Sequence, residues 1–143
     1  MGVHIVPELE TLNFIMPIVI AFISIFIVSL MPEPSRQRFN AILVAGAGAA
    51  YLSGGLGIWE FAFTTVATAA AYKGLSSYRY IGIAWLLHTF WDIMHHLYGN
   101  PIITFAPTSS FGCAITDAVV AIWFFFGAPS IYEVICKKGT NTV

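Results

Sequence analysis

Charged residues are scarce in this chain of 143 residues, at 9%, against about 25% in an ordinary soluble protein. Hydrophobic residues make up 58% of the chain and aromatic residues 15%. A soluble fold of this size keeps a large share of its surface in water, so it cannot hide so many apolar side chains. The composition argues against a soluble globular domain and predicts a single integral membrane domain over residues 1–143.

Two classes of partner have no support in the sequence. The formal net charge is −1, and no basic stripe is present that would neutralise phosphates. The chain also lacks the glycine-rich phosphate-binding motifs G-x-x-x-x-G-K-[ST] and G-x-G-x-x-G. We therefore expect neither nucleic acid nor nucleotide as a partner.

Cysteine is nearly absent, with one residue at Cys113 and one at Cys136. On one helix these residues lie about 35 Å apart at 1.5 Å per residue, too far for a disulfide within the chain. Neither has a histidine or a second cysteine at a metal-ligand spacing. We interpret both as packing residues.

Long apolar runs are what the chain does contain, separated by short segments rich in Gly, Pro and Ser. They predict an all-α, polytopic membrane helix bundle with five transmembrane helices. The predicted helices span residues 12–31, 39–52, 58–72, 80–98 and 112–135. The N-terminus lacks the positive residues of a cleaved signal peptide, so we expect the first apolar run to be retained.

The basic residues orient this bundle. With five crossings they all fall on one side: Arg36, Arg38, Lys73, Arg79, Lys137 and Lys138. Because basic loops stay in the cytoplasm, the N-terminus is predicted outside and the C-terminus inside. A four-crossing alternative, with residues 53–59 re-entrant, would place the basic loops on opposite sides.

Small residues recur at every fourth position of the second predicted helix, at Gly46, Ala50 and Gly54. Such spacing lets helices approach closely in lipid and predicts a packing face. The alternative is a simple bias of composition.

The fourth predicted helix holds an unusual set of polar side chains. His88, Asp92, His95 and His96 follow the spacing i, i+4, i+7 and i+8, which places them on one helix face. Ionisable groups at membrane depth are costly, and this marks them as a functional-site hypothesis. The topology brings Glu60 and Asp117 to the same depth, in the outer half of the membrane.

Imidazole and carboxylate groups are ligands for zinc, iron or manganese. We therefore predict a divalent metal held by His88, Asp92, His95 and His96, with Glu60 and Asp117 as catalytic base or further ligand. The matching function is a metal-dependent membrane enzyme acting on a lipid or another apolar substrate.

Two alternatives use the same residues. A proton- or cation-coupled transporter would use them as a relay, although the inner half of the bundle has few ionisable residues to continue it. An accessory subunit would use them as a structural polar cluster, with a second copy or a membrane-complex subunit as partner. Buried polar groups often serve to hold helices together.

The chain also resembles a known group of proteins. The resemblance rests on the stretch Trp91-Asp92-x-x-His95-His96-x-x-Gly99-Asn100-Pro101 and on Gly57-Ile58-Trp59-Glu60. This pattern is similar to a family of small uncharacterised bacterial multi-pass membrane proteins, from the second predicted helix to the fifth. The resemblance implies a location in the bacterial inner membrane, and it implies no activity.

Overall fold

The computed structural model describes residues 6–53 and 55–134, and within these ranges the chain is helical without strands. The predicted all-α class is confirmed. The helices are α1 (Thr11–Ser29), α2 (Ser35–Ala49), α3 (Trp59–Gly74), α4 (Tyr78–Tyr98) and α5 (Ser109–Phe125), with a short 3-10 helix (Ala50–Ser53) after α2.

The largest differences from the predicted bounds lie at the start of α2 and the end of α5. Helix α2 begins at Ser35 rather than residue 39, because Arg36 and Gln37 find partners there in Glu33 and in the carbonyl of Gly74. Helix α5 ends at Phe125 rather than residue 135. Gly127 and Ala128 take left-handed backbone angles, with φ of 80° and 49°, and Pro129 follows. These residues end the helix.

Helix α4 lies at the centre of the bundle. It packs against α2, α3 and α5, and α1 packs against α5. The core around α4 is built mainly from small and medium side chains: Ala41, Val44, Ala71, Ile81, Ala84, Phe124 and Ala128. Gly48 lies where α2 meets α3 and α4, since a Cβ atom there would make ordinary van der Waals contacts of 3.6 Å with Ala67 Cβ and His88 Nε2. Gly46 and Ala50, which the sequence places on a packing face, are exposed instead, and Gly54 lies outside the described residues.

The two ends of the bundle differ. At the end that we call the basic end, Arg36 of α2 donates to Tyr78 of α4, and Ser130 donates to the carbonyl of Ser29. The helix ends that meet there carry four basic residues, Arg36, Arg38, Lys73 and Arg79. At the other end, the distal end, Asn13 of α1 donates to Thr108 before α5 at 3.1 Å. A Cβ atom on Gly55 would lie 2.7 Å from Asn100 Nδ2, so the connections of α2–α3 and α4–α5 also meet there.

Apolar side chains cover the outside of the bundle, as Ile23, Ile42 and Phe61 illustrate with more than half of their surface exposed. By length and hydropathy, α1 is the one helix in the described ranges that can cross a membrane, with 19 residues and a mean hydropathy of 2.5. Helices α2, α3 and α5 have 15, 16 and 17 residues, and α4 is long but polar. The helices are thus present, and one of the five predicted spans meets this criterion.

Candidate functional site

Six of the buried polar side chains are those that the sequence singled out. Glu60, His88, Asp92, His95, His96 and Asp117 are each at most 8% exposed. Four of them lie on α4, and α3 and α5 supply the others from either side of it. Together with Tyr51, described below, we call these residues the polar cluster.

Glu60 is held by three donors. Its carboxylate accepts the backbone N–H of Leu56 and the indole N–H of Trp91, each at 2.9 Å, and faces His95 Nε2 at 3.2–3.3 Å. The local sequence produces this arrangement, because Glu60 lies in the first turn of α3 and reaches back to the preceding loop. Glu60 therefore links that loop to α4, and its oxygens are already occupied.

His95 lies between two acceptors. Its Nδ1 is 3.2 Å from the carbonyl oxygen of Asn100, and its Nε2 faces Glu60. A carbonyl can only accept, so Nδ1 carries a proton. His95 thus joins Glu60 of α3 to the segment that follows α4.

Asp92 has a different environment. Tyr51 donates its hydroxyl to Asp92 Oδ1, whereas Asp92 Oδ2 has no hydrogen-bond partner among the described residues. The carboxyl of Asp117 approaches from α5, close enough for the two acids to interact, and the thiol of Cys113 lies beside both. Asp92 thus combines complete burial with an oxygen that no described residue satisfies.

His88 and His96 lie on α4 on either side of Asp92. His88 Nε2 is 3.1 Å from the carbonyl of Val44, while its Nδ1 has no partner among the residues that the structure describes. The ring of His96 lies 5.3 Å from that of Phe111. The four α4 residues share a buried face as predicted, but their nearest partners differ.

Tyr51 connects the parts of the cluster. Its ring centroid lies 5.0 Å from that of His95 and 5.6 Å from that of His88, while its hydroxyl binds Asp92. The sequence pattern assigns Tyr51 no chemical role. Trp91 and Asn100 were also missed, and a single signal pointed to them: both belong to the W-D-x-x-H-H-x-x-G-N-P stretch.

Two cavities at the distal end reach His95. One has a volume of about 260 Å³ and is lined by Tyr51, His95, Asn100 and their neighbours in 101–104. The other, of about 200 Å³, is lined by Pro7, His95, His96, Gly99, Asn100, Pro101 and Pro107. The polar cluster is therefore buried but lies directly beneath space that opens at this end.

The described side chains do not converge as a metal site would require. Within residues 6–53 and 55–134, no three His, Cys, Asp or Glu side chains are grouped so that they can hold a metal ion. Glu60 engages His95 on the α3 side, whereas Asp117 meets Asp92 on the α5 side. The predicted zinc, iron or manganese site gains no support from this geometry and stays a prediction.

Comparison with known proteins adds a family and no activity. Searches of curated proteins and of solved structures give no match. A family model matches residues 12–130, which is most of the chain. The protein therefore belongs to the family of unknown function DUF6010.

Proposed function

We propose that this protein is a five-span membrane protein, of the kind found in bacterial inner membranes, with its basic end in the cytoplasm and its distal end outside. One support is the inverted distribution of side chains, because acids and imidazoles are buried while isoleucine and phenylalanine are exposed. A second is that the start of α2, the end of α3 and the start of α4, which carry four basic residues, meet at one end. That arrangement follows the positive-inside rule.

Within that topology, the polar cluster serves a proton- or cation-coupled carrier. The observation that carries this proposal is the environment of Asp92, which is fully buried and whose Oδ2 has no partner among the described residues, with Asp117 beside it. Two buried carboxylates in contact repel each other, so the pair is most stable when it holds a proton or a small cation. The cavities above His95 give the pair a route to the distal side.

The carrier is favoured over the other two functions by specific contacts. A metal-dependent enzyme needs three or more converging ligands, and the described residues do not group in that way. A purely structural cluster needs its polar atoms satisfied, as Glu60 is, whereas Asp92 Oδ2 is not.

Infrared titration in lipid nanodiscs tests the carboxyl pair. We expect the C=O stretching band of a protonated carboxylic acid, which Asp92→Asn and Asp117→Asn each remove. The matched control Glu8→Gln, at an exposed position, leaves it unchanged. In proteoliposomes with an internal pH dye, the same two variants abolish proton movement driven by a pH gradient. Absence of the band in wild type, with no response to sodium or potassium, contradicts the proposal.

Metal analysis of the same preparations separates the enzyme from the carrier. Stoichiometric zinc, iron or manganese that is lost in Asp92→Asn and in His95→Ala contradicts the carrier proposal and supports the predicted metal site.

The topology has its own test. In a background with Cys113→Ser and Cys136→Ser, Thr104→Cys should react with an impermeant thiol reagent applied to intact cells. Ser76→Cys should react only after the cells are opened. Both positions are exposed in the structure, and the reverse pattern contradicts the proposed orientation.

A further inference from the structure

A cavity at the basic end lies apart from the polar cluster. It is formed by the end of α1, the loop that follows, the start of α2 and the segment after α5, and its volume is about 450 Å³. Small-molecule sites in proteins have volumes of about 300–1,000 Å³. We call this space the basic-end cavity. Three charged side chains lie in its wall: Glu33, Arg36 and Glu133.

Arg36 supplies a buried guanidinium to this wall and is 6% exposed. Its Nε and Nη2 donate to Glu33 Oε1 at 2.8 and 2.5 Å, and its Nη1 donates to the carbonyl of Ser29 at 3.4 Å. Among the described residues, these bonds use three of the five N–H groups of a guanidinium. Two N–H groups therefore remain for an acceptor, and an oxyanion forms strong hydrogen bonds with such donors.

The charges in the wall limit what can bind there. Two carboxylates, of Glu33 and Glu133, share the wall with one guanidinium. A simple anion would face an excess of negative charge, and a simple cation would face Arg36. A ligand that carries both signs satisfies both groups, because its anionic oxygens accept from Arg36 while its cationic end donates to the carboxylates. The side chain of Glu33 is 43% exposed, so a ligand can reach it.

The rest of the wall is partly apolar, with Leu30 and Tyr132 among its residues and 57% and 65% of their surfaces exposed. Leu30 directly follows α1, the helix that can cross a membrane. Phe26 and Ile27, in the last turn of α1, are also more than half exposed. With α1 as a span, the cavity lies where the chain leaves the hydrocarbon. A ligand with apolar chains can therefore place its polar end in the cavity and its chains along α1.

We propose that the basic-end cavity binds the headgroup of a zwitterionic phospholipid with a primary ammonium, which is the chemistry of phosphatidylethanolamine. Its phosphate accepts from Arg36, and its ammonium donates to Glu33 and Glu133. This site rests on the membrane topology of the proposed function and does not depend on the carrier activity.

Lipid titration of the full-length protein, followed by native mass spectrometry, tests the site. The probes are phosphatidylethanolamine, phosphatidylcholine and phosphatidylglycerol with identical acyl chains. We expect phosphatidylethanolamine to bind about tenfold more tightly than either of the others. Choline has no N–H to donate, and the glycerol headgroup has no ammonium to offset the two carboxylates. Equal affinities for the three lipids, or a preference for phosphatidylglycerol, overturn the proposal.

A variant of the ammonium acceptor makes the test specific to this cavity. Glu133 is exposed, so Glu133→Gln should leave the fold intact and lower the preference for phosphatidylethanolamine over phosphatidylcholine by about threefold. The matched control Arg38→Gln changes an exposed charge at the same end, outside the cavity wall, and should leave this ratio unchanged. An unchanged ratio in Glu133→Gln overturns the ammonium site.

A soluble competitor separates a lipid from a free zwitterion. We expect O-phosphorylethanolamine, which has the headgroup without the chains, to displace the lipid only weakly. Displacement at the same concentration as the lipid itself would overturn the lipid assignment. The proposed topology fails separately, through the thiol labelling of Thr104→Cys and Ser76→Cys. Equal lipid affinities with the expected labelling pattern remove this site alone, and lipid selectivity without the protonated carboxyl band removes the carrier alone.

Discussion

Glu60 and Asp92 are both buried acids, and their hydrogen bonds give them different roles. Glu60 accepts from Leu56 and Trp91 and pairs with His95, so its charge is satisfied by groups from the α2–α3 loop and from α4. Asp92 accepts from Tyr51 and keeps one oxygen without a partner among the described residues. At the scale of single residues, Glu60 fixes the architecture and Asp92 is the group that can take up a ligand.

Substitution of the two acids should therefore have opposite effects on stability. Each Glu60 oxygen accepts an N–H, and Glu60→Gln replaces one of them by an amide nitrogen that cannot accept. A buried donor left without its acceptor costs about 1–3 kcal/mol. Asp92→Asn removes a repulsion with Asp117, so we expect equal or greater stability than wild type. Thermal unfolding in detergent measures both. A larger loss for Asp92→Asn than for Glu60→Gln contradicts these roles.

The Tyr51 hydroxyl should act through Asp92. Tyr51→Phe keeps the ring contacts with His95 and His88 and leaves Asp92 without its hydrogen bond, which costs about 1–3 kcal/mol. In Asp92→Asn the same change should cost less, because the charged acceptor is gone. A double-mutant cycle measures this coupling, with Tyr98→Phe at an exposed position as control. Additive effects would show that the hydroxyl acts elsewhere.

At the scale of helices, the local sequence predicts helix faces and helix ends well. It predicts very little about which residues of different helices pair. The spacing of His88, Asp92, His95 and His96 predicts one helix face, and all four are buried. Breaker residues predict where α4 ends, at Gly99. The pair of His95 with Glu60 joins residues 35 positions apart, and no local pattern contains that information. Similarly, the apolar run to residue 135 hides the end of α5, which the left-handed backbone at Gly127 and Ala128 imposes.

The glycines of α2 and α3 illustrate the same limit, since spacing favoured Gly46 and packing favours others. A Cβ atom on Gly74 would lie 2.6 Å from Ile81 Cγ1, whereas one on Gly46 meets nothing within 4 Å. We expect Gly74→Ala to lose about 1–3 kcal/mol through overpacking between α3 and α4. Gly46→Ala should gain about 0.5–1 kcal/mol from helix propensity. Thermal unfolding of both variants measures these changes in stability. A loss of stability in Gly46→Ala as large as that in Gly74→Ala would support the packing face predicted from the sequence.

At the scale of the whole molecule, polar function is distributed along the bundle rather than gathered in one site. The polar cluster lies beneath the cavities of the distal end, and Glu33, Arg36 and Tyr78 form a separate polar group at the basic end. Helix α4 links the levels, because Asp92, His88 and Tyr78 all project from it towards these contacts. A carrier needs polar groups at several depths of the bundle, whereas a structural cluster needs them at one depth only.

The basic end should respond to acid. Partial burial raises the pKa of Glu33, but the hydrogen bond from Tyr78 and the ion pair with Arg36 outweigh it, so the pKa lies below its ordinary value of 4.5. For an acid with a lowered pKa in the folded state, the stabilisation is present above pH 4.5 and is lost as the pH falls through the folded value.

Glu33→Gln never has this contribution. Thermal unfolding at pH 7 and below pH 4 should therefore show the stability difference between wild type and Glu33→Gln shrinking in acid. Because the other buried acids are shared by both proteins, their titration cancels in this comparison. A difference that stays constant across this range would mean that Glu33 does not pair with Arg36 in the membrane-embedded protein.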